Sequence, residues 1–174
     1  MSNRIALIIV CLAMGAAAGF VGAMGYGTAL RPSGEPGIEL EAPAARMIVL
    51  DSAFGVAQTM DRLEQAVGAA GAKVFARIDH GAGAASIDQD LAPSQVLIFG
   101  NPELGTPLLQ SEPMAGLDLP LRVLVWEDET GAVKLAYLDP AALARQYGID
   151  GQDQFISRIR LALANLTGHA TRGQ

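Results

Sequence analysis

From Ile5 to Leu30 the chain carries no charged residue. That run of about 26 residues exceeds the ~20 a helix needs to cross a bilayer. Only Met1 to Arg4 precede it, with one positive charge on Arg4. Two readings follow. In the first, residues 1–30 are a single-pass anchor in the inner membrane, with Arg4 left in the cytoplasm. In the second they are a signal peptide, with Ile5–Leu12 as its apolar core and Ala16-Ala17-Ala18 as its cleavage site. Phe20, Val21, Met24 and Tyr26 continue the apolar run past that site, which favours the anchor. Either reading exports the remainder of the chain to the periplasm.

Residues 31–44 are rich in Pro, Gly and Glu and read as a flexible linker. Charge then narrows the possible partners. The net charge of −6 lacks the basic face of a nucleic-acid binder. It also opposes docking on anionic headgroups. One Cys excludes an internal disulfide framework and a thiolate zinc cluster, and two His exclude a His-rich metal site. No G-x-G-x-x-G, P-loop, H-E-x-x-H or G-x-S-x-G is present, so no cofactor is implied.

A folded domain is expected over 45–168, followed by a polar tail at 169–174. Met47–Leu50 reads as a strand. Val56, Met60, Leu63, Val67 and Ala70 recur at helical spacing, and Gly71 stands where a helix would end. Lys73–Asp79 alternates as a half-buried strand, with Phe75 breaking the pattern. A turn of helix is expected around Ala84–Asp88. Gln95–Phe99 is apolar on both faces and reads as an interior strand. A short helix fits Leu104–Ser111. Leu119–Trp126 and Val133–Leu138 are strands joined by the polar loop Glu127–Gly131, too short for anything but an antiparallel hairpin. Asp139-Pro140 opens a helix that ends at Gly148. Asp150 is expected to cap a last helix carrying Phe155, Ile159, Leu163 and Leu166. The order β-α-β-β-β-β-α gives an α+β domain, a mostly antiparallel sheet with helices on one face. The other face needs cover, and a second copy is the simplest cover, so a homodimer is expected.

Several stretches then form a familiar series. They are Ile78-Asp79-His80, Leu97–Pro102, Thr106–Gln110, Leu117–Val125 and Tyr137–Pro140. In this order they resemble the bacterial family known as "domain of unknown function 302", over about Met47 to Leu166. The resemblance implies a TATA-binding-protein-like α+β fold and no established activity.

Four residues are candidates for a ligand-binding site. His80 ends a strand before glycines and is the only His inside the expected domain; an imidazole there can serve as base, ligand or pH sensor. Asn101 follows the interior strand, either as turn chemistry or as an amide aimed into a pocket. Gln110 ends a short helix. Asp118 sits in apolar company, as a cap or as a pocket acid. These groups are expected to converge on one cavity of mixed polarity. Three functions remain open. One is a non-enzymatic domain that binds a small ligand or a periplasmic protein. The second is an enzyme centred on His80 with Asn101, Gln110 or Asp118 as helpers. The third is a weak metal-handling protein at His80.

Overall fold

A computed structural model describes residues 46–172. The apolar run at 5–30 and the whole linker at 31–44 lie outside those residues. Among the described residues no helix is long and apolar enough to cross a membrane.

The strands are β1 (Met47–Asp51), β2 (Lys73–Asp79), β3 (Ser94–Gly100), β4 (Leu121–Glu127) and β5 (Val133–Leu138). The helices are α1 (Val56–Ala69), α2 (His80–Ala85), α3 (Pro102–Ser111), α4 (Pro140–Tyr147) and α5 (Asp153–Thr171), with a 3-10 turn at Pro113–Leu117. The strands form one five-stranded sheet in the order β1-β5-β4-β3-β2, antiparallel at every pairing. This is the expected α+β arrangement, with β3 interior and the β4–β5 hairpin closed by the acidic loop.

Period-2 alternation gives the sheet two different faces. Leu97 and Phe99 of β3, Val123 and Val125 of β4, and Leu135 and Tyr137 of β5 point to the helix side and are buried. Val56, Met60, Leu63 and Val67 of α1 meet them there, as do Ile156, Ile159, Leu163 and Leu166 of α5. The two helices lie side by side over the sheet. At their junction Thr59, Thr167 and Thr171 are buried yet satisfied: Thr59 pairs with Ser52 at 2.7 Å, and Thr167 and Thr171 donate to carbonyls one turn back. Buried hydroxyls without partners would each cost about 1–3 kcal/mol.

Local chemistry sets the boundaries. Asp139 caps α4 by accepting from the Ala141 amide, Pro140 follows at the first helical position, and Gly148 adopts the left-handed conformation that ends the helix (φ 61°). Gly71 does the same after α1 (φ 71°). Several boundaries differ from the sequence reading: α3 begins at Pro102 rather than Leu104, where Asn101 caps it, and β4 begins at Leu121 rather than Leu119. The helix expected at Ala84–Asp88 begins at His80, because the Asp79 carboxylate caps it through the Ala82 amide. The last helix starts at Asp153 rather than directly after Asp150, since Gly151 turns the chain at φ 71°. Residues 169–171 belong to α5 and not to a polar tail. The last turn is held because the Arg62 guanidinium donates to the carbonyls of His169, Ala170 and Arg172, at 2.7, 3.3 and 3.0 Å.

Candidate functional site

The sheet face opposite the helices is built from alternate residues of all five strands. The register places Met47 and Val49 beside Leu138 and Ala136, then Leu124 and Trp126, then Val96 and Ile98, then Ile78. Met47, Val49 and Ile78 are 46%, 55% and 43% exposed. An antiparallel sheet with one wet face normally places polar residues there. Here the middle of the face is apolar. Its charges sit at the rim: Lys134 pairs with Asp51, Arg122 pairs with Asp118, and Arg46 stands at the start of β1. Part of this face borders a hollow of about 810 Å³, whose wall holds Arg46, Met47, Val49, Leu124 and Trp126 and also the helix-side residues Tyr137, Leu143 and Leu163.

A second, smaller hollow lies at the other side of the sheet's end. It measures about 240 Å³ and runs between α3 and the bulged end of β2, with Phe75, Asn101, Leu104, Gly105, Leu109 and Leu119 in its wall. Phe75 is there because β2 carries a bulge between Val74 and Ala76. Val74 pairs with Phe99 and Ala76 with Ile98, so Phe75 is the extra residue and stands out of the ladder. The break in alternation seen in the sequence has this cause.

The four candidate residues are not brought to one cavity. His80 follows β2, and Asn101 follows β3. Because β2 and β3 run antiparallel, Asp79 lies opposite Gln95 while Gly100 lies opposite Lys73. His80 and Asn101 therefore sit at opposite ends of β3, about 17–20 Å apart at the rise of a strand. The expected convergence is corrected on this ground. His80 is exposed as the first residue of α2 and makes no side-chain hydrogen bond among the described residues. Its neighbour Asp79 belongs to a network instead. One oxygen accepts from Ala82 and the other from Gln95, whose own oxygen accepts from Arg77. Arg77 in turn pairs with Asp61 and Glu64 of α1, at 2.6 and 3.2 Å. The Ala82 amide, aided by Gln95, holds the Asp79 carboxyl below its usual range.

Asn101 caps α3, its oxygen accepting from the Glu103 amide at 2.8 Å. It also lines the smaller hollow. Gln110 is exposed near the other end of α3. Asp118 closes the 3-10 turn and ties α4 to the start of β4. Its carboxylate accepts from the Tyr147 hydroxyl at 2.8 Å, from Gln146 at 3.4 Å and from Arg122. That bond to Asp118 pushes the Tyr147 phenol up. Asp118 thus serves structure first, at the edge of the open sheet face. Among the described residues no three His, Cys, Asp or Glu side chains are placed to hold a metal ion. Among the described residues no polar side chain hydrogen-bonds His80 to form a catalytic pair. The sequence predicts an uncovered sheet face but not which residues form it, since they are spread over five strands, and it gives no sign that Gly105 and Phe75 line a cleft.

Comparison with known proteins agrees with this architecture. Residues 48–166 match the family model described as "Domain of unknown function DUF302". The chain superposes on the crystal structure of an uncharacterized conserved DUF302 protein from Bacillus stearothermophilus with a TM-score of 0.65 and 20% identity, covering 72% of this chain and 98% of that one. That likeness is one of fold. Over 103 residues, 59% of its length, the chain is 43% identical to proteins named "Fluoride-specific ion channel FluC 1" from Brucella suis and Brucella abortus. It spans 41% and 38% of the length of those two relatives.

Proposed function

The chain belongs to the family described as domain of unknown function DUF302, and from that premise we propose that it is an exported, membrane-tethered binding module that works as a homodimer through its open sheet face. The observation that carries this reading is the apolar middle of that face. A five-stranded sheet with strands about 4.8 Å apart and about six residues long covers roughly 500 Å² in plan. Side-chain relief raises the accessible area towards the ~800 Å² per partner of a standard interface. Soluble monomers seldom expose a larger apolar patch than this.

A second copy fits the face better than a charged partner does. The centre holds Val96, Leu124, Trp126 and Ala136 without a charge, and the rim holds both Arg122 and Lys134 and the acids Asp51 and Asp118. A two-fold axis through such a patch pairs like with like at its apolar centre and lets opposite signs meet at its edge. The charge-free run at residues 5–30 supports the tether, and its lone preceding Arg4 supports a periplasmic domain. The Brucella relatives support a membrane setting, since they are named ion channels. A match of 103 residues is too long to lie within the segment before β1, so it draws on the α+β domain. An activity centred on His80 has no comparable support, because among the described residues no side chain hydrogen-bonds that imidazole.

The single tryptophan reports on this reading directly. Trp126 lies on the open face, so its emission should shift to the blue and resist acrylamide as the concentration of residues 45–174 rises from nanomolar to tens of micromolar. Emission independent of concentration contradicts the dimer. For the tether, fractionation of cells expressing the full chain should place it in the membrane fraction with the domain open to protease from the periplasmic side; a cytoplasmic domain contradicts it.

A further inference from the structure

We propose that the cleft between α3 and the bulged end of β2 binds a small neutral molecule, mainly apolar, that carries one hydrogen-bond acceptor. The cleft measures about 240 Å³. A cavity of about 150 Å³ holds benzene, so by proportion this one takes a molecule on the order of ten heavy atoms. Its wall contains no ionisable side chain. A charged ligand would lose its hydration there without gaining an opposite charge. Leu104, Leu109 and Leu119 supply apolar contact, and Phe75, displaced from the ladder by the bulge, closes one side.

Two features go beyond a chance hollow. The first is Asn101. Its oxygen is committed to the Glu103 amide, and its NH2 group has no acceptor among the described residues. The side chain therefore offers donors and no free capacity to accept along the cap direction, which selects a carbonyl or ether over a hydroxyl donor. The second is Gly105, in the interior of α3. Its φ lies outside the left-handed region, so backbone geometry does not call for glycine, and helix propensity argues against it. A Cβ built there meets nothing within 4 Å. The missing side chain leaves that part of the cleft wall clear.

This site does not depend on the dimer. The cleft and the hollow on the open sheet face share one lining residue, Leu121, and the two proposals can fail separately. The test is an NMR titration of residues 45–174 with three probes: acetophenone (neutral, one carbonyl), ethylbenzene (similar bulk, no acceptor) and benzoate (charged). Acetophenone should shift the Asn101 side-chain NH2 together with the amides of Gly105 and Thr106. Ethylbenzene should bind at least threefold more weakly, and benzoate should leave these signals in place. Asn101→Asp keeps the cap oxygen but replaces the NH2 by an acceptor, so it should weaken acetophenone at least tenfold with an unchanged melting temperature. Gly105→Leu should fill the cleft and abolish the shifts without destabilising the fold. The proposal is overturned if millimolar acetophenone moves none of these signals, if benzoate binds as well, or if both variants bind as the wild type does.

Discussion

Arg62 shows how one side chain can decide where a helix stops. It lies on α1, far in sequence from the end of α5, yet donates to three of the last carbonyls there and stacks over Phe54 at 4.5 Å. Helix ends leave such carbonyls without intrahelical partners. Arg62→Ala should cost about 1–2 kcal/mol in chemical unfolding, and lysine should recover less than half, since one ammonium lacks the fork that reaches several acceptors. An unchanged midpoint for the alanine variant contradicts this role. Asp79 makes a prediction in pH. Its folded pKa lies below its ordinary value of 3.8, chiefly through the Ala82 amide. The stabilisation it gives is therefore complete above the unfolded value and is lost as pH falls through the lower, folded one. The Ala82 amide proton should stay protected from exchange down to about pH 4 and lose protection only in stronger acid. Loss of protection at pH 5 contradicts the cap. The role of Arg62 was not legible in the sequence, where it is one arginine on a polar face, and Asp79 reads there as a turn residue or a partner of Arg77 rather than as a helix cap.

At the scale of elements, the strand and helix order could be read because alternation and helical spacing were strong wherever one face was buried. Asp139-Pro140 with Gly148 bounded α4 to the residue, since cap, proline and left-handed glycine each need a particular backbone. The start of α2 escaped because the segment carries no apolar stripe and the helix begins at one capping carboxylate. The convergence of His80 with Asn101 failed for a reason already contained in the topology. Once β2 and β3 are antiparallel, the residues that follow each of them must lie at opposite ends. The broken alternation at Phe75 was visible, and its meaning was not: it marks the bulge that walls the cleft. Deleting one residue from a strand normally turns every later side chain to the wrong face. Here deletion of Phe75 should restore an unbroken ladder, because Val74 and Ala76 already pair with successive residues of β3. The shortened protein should unfold cooperatively with Leu97 and Phe99 still buried, and should no longer shift Gly105 on adding acetophenone. A molten or unfolded product contradicts this reading of the bulge.

At the scale of the molecule, the five strands and their helices bury one core and, among the described residues, leave one large apolar face open. The Bacillus stearothermophilus structure consists almost wholly of the same fold, with 98% of it covered, so residues 45–174 can be studied as a folding unit. The dimer is the claim on which the functional reading turns. Leu124 lies on β4, the middle strand of the sheet, with Val96 and Ala136 on either side, all on the open face. A carboxylate there meets water in a monomer and an apolar neighbour in a dimer. Sedimentation velocity of residues 45–174 from 1 to 100 micromolar should show a concentration-dependent dimer of about twice the monomer mass. Leu124→Asp should sediment as a folded monomer across that range, with the more exposed Val49→Asp weakening association and serving as the control for folding. A wild-type fragment that stays monomeric at 100 micromolar, or a Leu124→Asp variant that is folded and still dimeric, contradicts the account.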